Sequence, residues 1–411
     1  MDMSRTLTQI KSYSRINSLP IIPVQASSIT LQRKPGDFYQ SILNGIRTAK
    51  DRISLSALYL GCGLKEKTLV DEIRANVRRN PRLKVNFILD SHRAQRVDTT
   101  NSSSLSMLSD LRNYDNFKVQ LVVTCSKTSG ITKYLLTRFP RCSELYSTYH
   151  TKALVFDRDV LLTGANLSDI YFDRRQDRYM LIKNSKSLSD YLSLLFDDME
   201  SICTFKDRLR NHNQIFIDKM DKPEGYDCLV IPLFQHQKSG LTDCDDFLHF
   251  LVNQIPLKSI HLSSGYFNPA LDLRWNSVLV PSEKANGFYE GSGLLKYVPK
   301  LYSAILKRLA REYPARECRL YNRPDWSFHA KGLWAESQDD VYIHVIGSSN
   351  FNWRSSVRDF ETLFVLITNN RDLMQRINDE RDLLWQDSIL YQPQPSMVIY
   401  EAITRLIKSF L

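Results

Sequence analysis

The fold is decided by two stretches of sequence, YHTKALVFDRDVLLTGANL (residues 149–167) and FHAKGLWAESQDDVYIHVIGSSNF (residues 328–351). Each contains an acid, an apolar run that favours a hairpin, and a Gly…Asn turn. Each also carries one His-x-Lys pair: His150 and Lys152 in the first, His329 and Lys331 in the second. One such pair would carry little information. Two pairs in matching contexts predict a duplicated unit whose halves build one site for phosphate chemistry.

The match between the two halves extends beyond these stretches. Residues 53–59, ISLSALY, align with residues 260–266, IHLSSGY. The His-x-Lys pairs and the following acids align at one offset, and the residues after the hairpins align at a larger one. The later matches are Asn166 with Asn350, Arg174 with Arg358 and Asp177 with Glu361. An insertion in the second hairpin, near SQDDV, explains the difference.

Runs rich in β-formers alternate with helical patterns in both halves, which is typical of α/β folds. Residues 36–51, for example, predict a helix with Asp37 as its N-cap. The repeat predicts two similar α/β lobes, over residues 35–220 and 228–411, the second ending in an amphipathic helix. Residues 1–34 are predicted to form a separate N-terminal segment, whose start is basic and rich in Ser and Thr, as in an organelle transit peptide.

Charge and cysteine content narrow the class of protein. The 411-residue chain has 55 basic and 45 acidic residues, and its net charge of +10 favours an anionic partner. The seven cysteines include no C-x-x-C pair, which argues against a disulfide framework or a zinc site and for a reducing compartment. No apolar run reaches the roughly 18 residues that a membrane span needs, so we expect no integral membrane segment.

Strand parity predicts which motif residues share a face. Alternate residues of a strand point the same way, so His150 and Lys152 lie on one side. Asp157 is seven residues from His150 and therefore faces away, and Glu336 stands in the same relation to His329. We expect these two acids to be structural rather than catalytic.

The turns of the two hairpins predict where the asparagines lie. If the first hairpin turns symmetrically about Arg158, Asn166 falls beside His150. A second turn centred between positions 339 and 340 places Asn350 beside His329. Each lobe then brings an imidazole, an ammonium and an amide together, at turns whose glycines allow close backbone approach: Gly164 and Gly347.

This set of side chains suits displacement at phosphorus. One histidine serves as nucleophile and forms a covalent intermediate, while the other acts as general acid and then base. Lysine, amide and hydroxyl donors hold the phosphoryl oxygens without a metal, and the candidates beside the lysines are Asn166, Asn350 and Ser348. Each histidine also needs a carboxylate that fixes its tautomer, and the candidates are Asp177 and Glu361.

The motifs resemble those of the phospholipase D superfamily, in which H-x-K-x4-D and a Gly/Ser…Asn turn occur twice. The longer strings TGANLSDIYFDRRQDRYMLI, IGSSNFNWRSSVRDFET, SLSALYLG and SSGYFNP are similar to the eukaryotic phosphatidylglycerophosphate synthases. Two positions depart from the superfamily pattern. Glu336 stands where Asp is usual, and Thr163 begins the first turn where Gly is common.

The resemblance implies two lobes related by a pseudo-twofold axis, with one active site at their interface. It implies transfer of the phosphatidyl group of CDP-diacylglycerol to sn-glycerol 3-phosphate, with release of CMP, by a peripheral protein on the matrix side of the mitochondrial inner membrane. No obligatory cofactor or metal is implied, and assistance by a divalent cation stays open. The implied catalytic motifs are His150, Lys152 and Asp157, and His329, Lys331 and Glu336. His150 is the candidate nucleophile and His329 the candidate acid/base.

Other features suggest contacts with substrate and membrane. Arg93 and Arg96 follow a predicted strand at the end where α/β sheets bind ligands, and a second phosphate needs such an arginine. Residues 395–411 have apolar residues at helical spacing, which fits an interfacial helix on an anionic bilayer or a helix packed on the second lobe. Further candidates for substrate contact are Tyr59, Tyr266, Lys127, Lys133 and the Gly-rich loop 286–293.

Other interpretations stay open at this point. Nucleases use the same residues and suit a basic chain, but no aromatic platform beside a basic groove is evident, and we expect no nucleic acid partner. Related lipid enzymes use serine or phosphatidylglycerol as acceptor. A degenerate, non-catalytic repeat is disfavoured because both His-x-Lys pairs are intact.

Overall fold

The computed structural model describes residues 4–124, 144, 146–197, 199, 205–219, 226–392 and 398–411. Lys127, Lys133 and most of the expected connection at 221–227 lie outside these residues. The described α-helices are α1 Arg5–Ile16, α2 Pro35–Thr48, α3 Leu64–Arg79, α4 Ser91–Gln95, α5 Ser104–Met107, α6 Asp169–Asp173, α7 Lys186–Phe196, α8 Phe205–Lys219, α9 Asp243–Gln254, α10 Val298–Glu312, α11 Trp353–Val357, α12 Arg371–Gln386 and α13 Val398–Leu406.

The strands of the first half precede a closely matching set in the second. The described strands are β1 Ile22–Val24, β2 Ile29–Gln32, β3 Arg52–Ala57, β4 Lys84–Asp90, β5 Phe117–Val122, β6 Ala153–Phe156, β7 Asp159–Thr163, β8 Arg175–Gln176, β9 Tyr179–Ile182, β10 Cys228–His236, β11 Leu241–Thr242, β12 Leu257–Ser263, β13 Ser277–Pro281, β14 Glu317–Tyr321, β15 Ser327–Phe328, β16 Gly332–Ser337, β17 Tyr342–Gly347, β18 Glu361–Thr368 and β19 Ser388–Leu390.

The two large sheets repeat one topology. The first has the order β2-β9-β7-β6-β3-β4-β5, and the second has β10-β18-β17-β16-β12-β13-β14, extended by β1 and β19 at its edges. In each, the last two neighbouring pairs are parallel and the others antiparallel. The predicted α/β fold is confirmed, and the duplication is visible as matched strand order and direction.

Three apolar clusters hold these layers together. One lies between the first sheet and α2 and α3 and contains Leu154. Another lies between the second sheet and α9 and α10 and contains Leu333. The third takes side chains from both sheets, among them Val155 and Trp334, because adjacent residues of a strand point to opposite faces. The lobes therefore share a core and are not independent of each other.

The N-terminal residues belong to this folded body. Helix α1 packs on the second lobe, where the Tyr13 ring stacks on Phe250 with centroids 4.1 Å apart and Thr6 donates to Asp339. Strand β1 then pairs with β10 of the second sheet, and β2 pairs with β9 of the first. The boundary expected after residue 34 therefore differs from the structure, in which this segment spans both lobes.

The start of α2 also differs from the prediction. The helix begins at Pro35 with Lys34 at the N-cap, and Asp37 lies within its first turn. Proline suits the first helical position because its missing N–H would have no partner there. An acid in the first turn stabilises the positive end of the helix dipole. Asp37 therefore stabilises the N-terminus of α2 by its charge and not as the N-cap.

In both hairpins the register of strand pairing differs by one residue from the prediction. Phe156 pairs with Asp159, which leaves Asp157 and Arg158 as a two-residue turn, and Asp157 adopts the positive φ of +52° that such turns favour. Counted along this register, position 165 rather than Asn166 falls opposite position 150. The second hairpin has the same shift, since Glu336 pairs with Tyr342. The predicted midpoints were therefore wrong.

Helix α13 packs on the second lobe along one side. The cluster under α9 and α10 is contacted by Tyr400 and Ile403 of this helix and by Ile407 just after it. Glu401 pairs with Arg311 of α10 at 3.1 Å. Leu406, by contrast, is 85% exposed. The packing alternative is therefore the one the structure favours for this helix. None of the helices described here combines the length and the apolar character needed to cross a membrane.

A buried ion pair joins the two lobes. Arg178 of β9 donates to both carboxylate oxygens of Glu380 in α12, at 2.8 and 2.9 Å. Its guanidinium lies 3.9 Å from the Trp334 ring centroid and donates to the carbonyls of Lys331 and Val345. Every part of this cation thus contacts the second lobe.

Removing one partner of this pair should destabilise the whole molecule. Glu380→Ala leaves the Arg178 charge buried without a counter-ion, and we expect a loss of about 3–5 kcal/mol in the free energy of unfolding. Urea denaturation measures it. Asp379→Ala is the matched control, because the Asp379 side chain is 45% exposed and should contribute little. An equal loss in both variants would contradict the role given to the buried pair.

Candidate active site

Two short parallel contacts between the lobes bring the histidines together. Tyr149 bridges to Phe360, and β15 pairs with β8 through Phe328 and Gln176. The following residues continue each contact. The His150 N–H donates to the Phe360 carbonyl and the His329 N–H to the Gln176 carbonyl, both at 2.8 Å. Each histidine therefore enters the site beside the residue that precedes an acid of the other lobe.

The histidines exchange carboxylates across the lobe interface. His150 Nδ1 lies 2.9 Å from Glu361 Oε2, and His329 Nδ1 lies 2.7 Å from Asp177 Oδ2. The sequence singled out both acids as tautomer-fixing groups but not which histidine each serves. Neither lobe holds a complete histidine–carboxylate pair, so the site exists only where the lobes meet.

The two carboxylates have different surroundings. Glu361 accepts hydrogen bonds from the Ser348 hydroxyl and from the Ser355 hydroxyl, the latter at 2.7 Å, and the adjacent His150 lowers the pKa of Glu361 despite burial. Asp177 accepts from the Arg178 N–H at 2.8 Å, and burial raises its pKa to about 6. Ser348, predicted to bind phosphate, instead has its hydroxyl on Glu361.

The two motif lysines are buried cations. Lys152 Nζ donates to the His150 carbonyl at 2.6 Å, and Lys331 Nζ lies 2.5 Å from His329 Nδ1 and donates to the His329 carbonyl. Burial lowers the pKa of Lys152 to about 7 and that of Lys331 to about 8. Burial also lowers the pKa of both histidines, that of His329 strongly. An anion in the site would counter this loss of hydration.

The glycines allow the backbones of the two turns to meet, as predicted. A Cβ on Gly164 would lie 2.9 Å from the Gly347 carbonyl and 2.8 Å from Asp177 Oδ1. A Cβ on Gly347, whose φ is +157°, would lie 2.2 Å from the Thr362 carbonyl. A side chain at position 164 would therefore push the two halves of the site apart, and one at position 347 would displace the neighbouring strand β18.

The asparagines lie in the site, but one contact differs from the prediction. Asn166 donates to the Tyr171 hydroxyl at 3.2 Å, and that hydroxyl lies 3.2 Å from His329 Nε2. Asn166 is therefore linked to His329 rather than to His150. The side-chain carbonyl oxygens of Asn166 and Asn350 are buried and have no hydrogen-bond partner among the described residues. A 180° rotation of either amide group would put its NH2 where the unpaired oxygen now lies, and there it could donate to a phosphate oxygen.

The third residue of each motif lies away from the histidines. Asp157 accepts hydrogen bonds from three successive backbone N–H groups at positions 50–52, so it fixes the start of β3. Glu336 pairs with Lys258 at 3.1 Å at the surface. The geometry agrees with strand parity, and the catalytic grouping of these acids that the superfamily motif implies is not supported.

The predicted phosphate-binding arginines are already paired. Arg93 and Arg96 lie 3.3 and 3.5 Å from Glu144, and Arg93 covers the Tyr59 ring at 4.6 Å. Tyr266 reaches the site, with its ring centroid 6.0 Å from that of His329. Sequence reasoning missed Tyr171 and Arg175, although their position between Asn166 and Asp177 in the repeat is a signal that could have found them.

The arrangement has the parts for displacement at phosphorus. Two imidazoles and several buried donors converge on one place. In the part of the chain that the structure describes, no group of three His, Cys, Asp or Glu side chains is arranged to hold a metal ion.

Comparisons with known proteins found a matching family model and a similar solved structure. Residues 42–199 match the family model described as cardiolipin synthase, PLD-like domain. The solved structure of phosphatidylserine synthase from Haemophilus influenzae Rd KW20 superposes with a TM-score of 0.75 at 21% identity, covering 98% of this chain and all of that one. This second likeness concerns the fold.

Curated relatives match most of the chain. A probable CDP-diacylglycerol–glycerol-3-phosphate 3-phosphatidyltransferase of Dictyostelium discoideum is 29% identical, over 90% of this chain and 74% of that protein. The mitochondrial CDP-diacylglycerol–glycerol-3-phosphate 3-phosphatidyltransferases of Gallus gallus and Homo sapiens are 27% and 26% identical, over 96% of this chain and 85% of theirs. Residues 42–199 thus match the model of a phospholipase D-like domain, and most of the chain is similar in sequence to these phosphatidyltransferases.

Proposed function

We propose that the protein transfers the phosphatidyl group of CDP-diacylglycerol to sn-glycerol 3-phosphate and releases CMP. The observation that carries this proposal is that each histidine is held by a carboxylate of the other lobe, His150 by Glu361 at 2.9 Å and His329 by Asp177 at 2.7 Å. The relatives of the chain are named for that reaction. The product is phosphatidylglycerophosphate.

His150 is the proposed nucleophile. With Nδ1–H held by Glu361, the other ring nitrogen, Nε2, keeps its lone pair for the substrate. This nitrogen attacks the phosphatidyl phosphorus, an N–P bond forms, and the P–O bond to CMP breaks. The leaving CMP is a weakly basic phosphate, so departure needs little help from an acid, and Lys152 and Lys331 balance the charge.

His329 is the proposed base of the second step. Burial strongly lowers the pKa of His329, so its imidazole is neutral, as a base that accepts a proton from an alcohol must be. The acceptor hydroxyl attacks phosphorus, the His150 N–P bond breaks, and the hydroxyl proton passes to His329 Nε2. Tyr171 lies 3.2 Å from that nitrogen and orients the ring until the acceptor arrives.

We also propose a peripheral position on an anionic membrane, which in the mitochondrial relatives' compartment would be the matrix face of the inner membrane. The support is the segment 286–300, which leads into the first turn of α10 and borders the site at Gly287. Its Leu294 is 85% exposed and Leu295 45% exposed. Lys296 and Lys300 follow these leucines, which suits apolar insertion beside anionic headgroups.

The reaction can be tested with purified protein, CDP-diacylglycerol and each acceptor in turn. We expect CMP release with glycerol 3-phosphate and much less with serine or phosphatidylglycerol. Acid quenching during turnover should trap a lipid–protein adduct that His150→Ala lacks. His329→Ala should form the adduct but pass it on at least 100-fold more slowly. Failure to release CMP with glycerol 3-phosphate would refute the function, and an adduct lost only in His329→Ala would reverse the two roles.

The pKa values of the lysines predict how donor capture depends on pH. Lys152, with its pKa lowered to about 7, and Lys331, at about 8, are cations below those values and lose their charge above them. We expect kcat/KM for CDP-diacylglycerol to fall by about tenfold or more from pH 6.5 to 9. Lys258→Gln, at an exposed surface lysine, should keep the same profile. A flat profile up to pH 9 would show that both lysines stay charged.

Membrane binding can be assigned to the loop or to α13 by two matched double variants. Leu294→Ser with Leu295→Ser should weaken binding to phosphatidylcholine vesicles containing phosphatidylglycerol by about tenfold or more, because two apolar side chains no longer insert. Leu406→Ser with Phe410→Ser removes exposed apolar groups from the C-terminal region and should leave binding unchanged. Loss of binding in the second variant alone would transfer the role to that region.

A further inference from the structure

We propose that Arg175 binds the phosphate group of the acceptor and makes the site selective for a phosphorylated alcohol. This inference rests on the function proposed above and adds the residue that recognises the second substrate. It also replaces the arginines suggested by the sequence, since Arg93 and Arg96 are paired with Glu144.

Arg175 lies next to the proposed base. Its guanidinium carbon is 4.8 Å from the Tyr171 ring centroid, and the Tyr171 hydroxyl is 3.2 Å from His329 Nε2. The Arg175 Nε donates to the Ser327 hydroxyl at 3.0 Å, which fixes the direction of the side chain. A Cβ added to Gly287 would lie 3.0 Å from Arg175 Nη2, so the loop backbone borders the guanidinium closely.

Arg175 is a partly buried cation that no carboxylate of the described residues pairs with. The other arginines near the site are committed: Arg178 to Glu380, Arg354 to Asp359, and Arg93 to Glu144. Around Arg175 lie tyrosine hydroxyls and a serine hydroxyl instead. A cation held among neutral groups is ready to bind an anionic ligand.

The repeat shows that this feature belongs to one half of the site. In the alignment that matches Arg174 with Arg358, Arg175 matches Asp359. Asp359 is an acid that accepts from Arg354 at 2.7 Å and from the Thr148 N–H at 2.8 Å. Tyr171 likewise matches Ser355, whose hydroxyl is bound to Glu361. The surroundings of His329 therefore suit an anion, and those of His150 do not offer the same group.

The chemistry of the acceptor fits this position. Its attacking hydroxyl must reach His329, and its phosphate lies three carbon atoms away along the glycerol chain. The Tyr171 side chain contacts both groups, with its ring centroid 4.8 Å from the Arg175 guanidinium and its hydroxyl 3.2 Å from His329 Nε2, so we place the acceptor phosphate at Arg175. A guanidinium can donate two parallel hydrogen bonds to a phosphate, which fixes the hydroxyl as well as the charge. Serine has no phosphate to use this contact.

The test separates the acceptor step from the donor step in Arg175→Gln. We expect KM for glycerol 3-phosphate to rise about 10- to 100-fold, the range for loss of a charge-assisted contact. Inorganic phosphate should inhibit the wild type competitively with glycerol 3-phosphate, and Arg175→Gln should be insensitive to it. The single-turnover release of CMP without acceptor should keep its wild-type rate, which also reports that the variant is folded.

Arg174→Gln is the matched control, because it removes the same charge from an adjacent side chain that is 65% exposed. It should leave KM and phosphate inhibition unchanged. An unaltered KM in Arg175→Gln would overturn the proposal. Slower CMP release without acceptor would overturn it too and assign Arg175 to the donor phosphate. Absence of CMP release by the wild type itself would refute the proposed function instead.

Discussion

The exchange of carboxylates between the two lobes is the contact on which the rest of the site depends. His150 takes Glu361 from the second lobe, and His329 takes Asp177 from the first. In each exchange the N–H of the histidine donates, at 2.8 Å, to the carbonyl of the residue that precedes the acid. The sheets, the shared core and the buried Arg178–Glu380 pair hold these bonds in place. A small change in lobe orientation would separate both pairs at once.

Burial sets the electrostatics of this interface. Lys152, Lys331 and the two histidines are removed from water, so each pays a hydration cost that lowers its pKa. Glu361 compensates this cost more effectively than Asp177, because two serine hydroxyls hold it as an anion. The two halves of the site are thus related by topology and unequal in charge. That inequality gives the two histidines different electrostatic surroundings, as the two roles proposed for them require.

The sequence predicted the duplicated α/β fold and the acids beside the histidines because these follow from local spacing. It could not predict the exchange, which depends on contacts between residues as distant as Tyr149 and Phe360. The segment DRRQDR shows the same limit. Arg174 is exposed, Arg175 reaches the site, and Arg178 is buried against Glu380. Three arginines within five positions have three environments, and only the packing of the other lobe distinguishes them.

The N-terminal segment has a consequence for how the chain folds. Ile22 pairs with Val230 in one sheet, and Ile29 pairs with Ile182 in the other. These two strands therefore wait for partners from much later in the chain, and such distant pairings form slowly. Until then β1 and β2 are unpaired strands with open hydrogen-bonding edges, which invite association with other chains. Once paired, the same segment ties both lobes together.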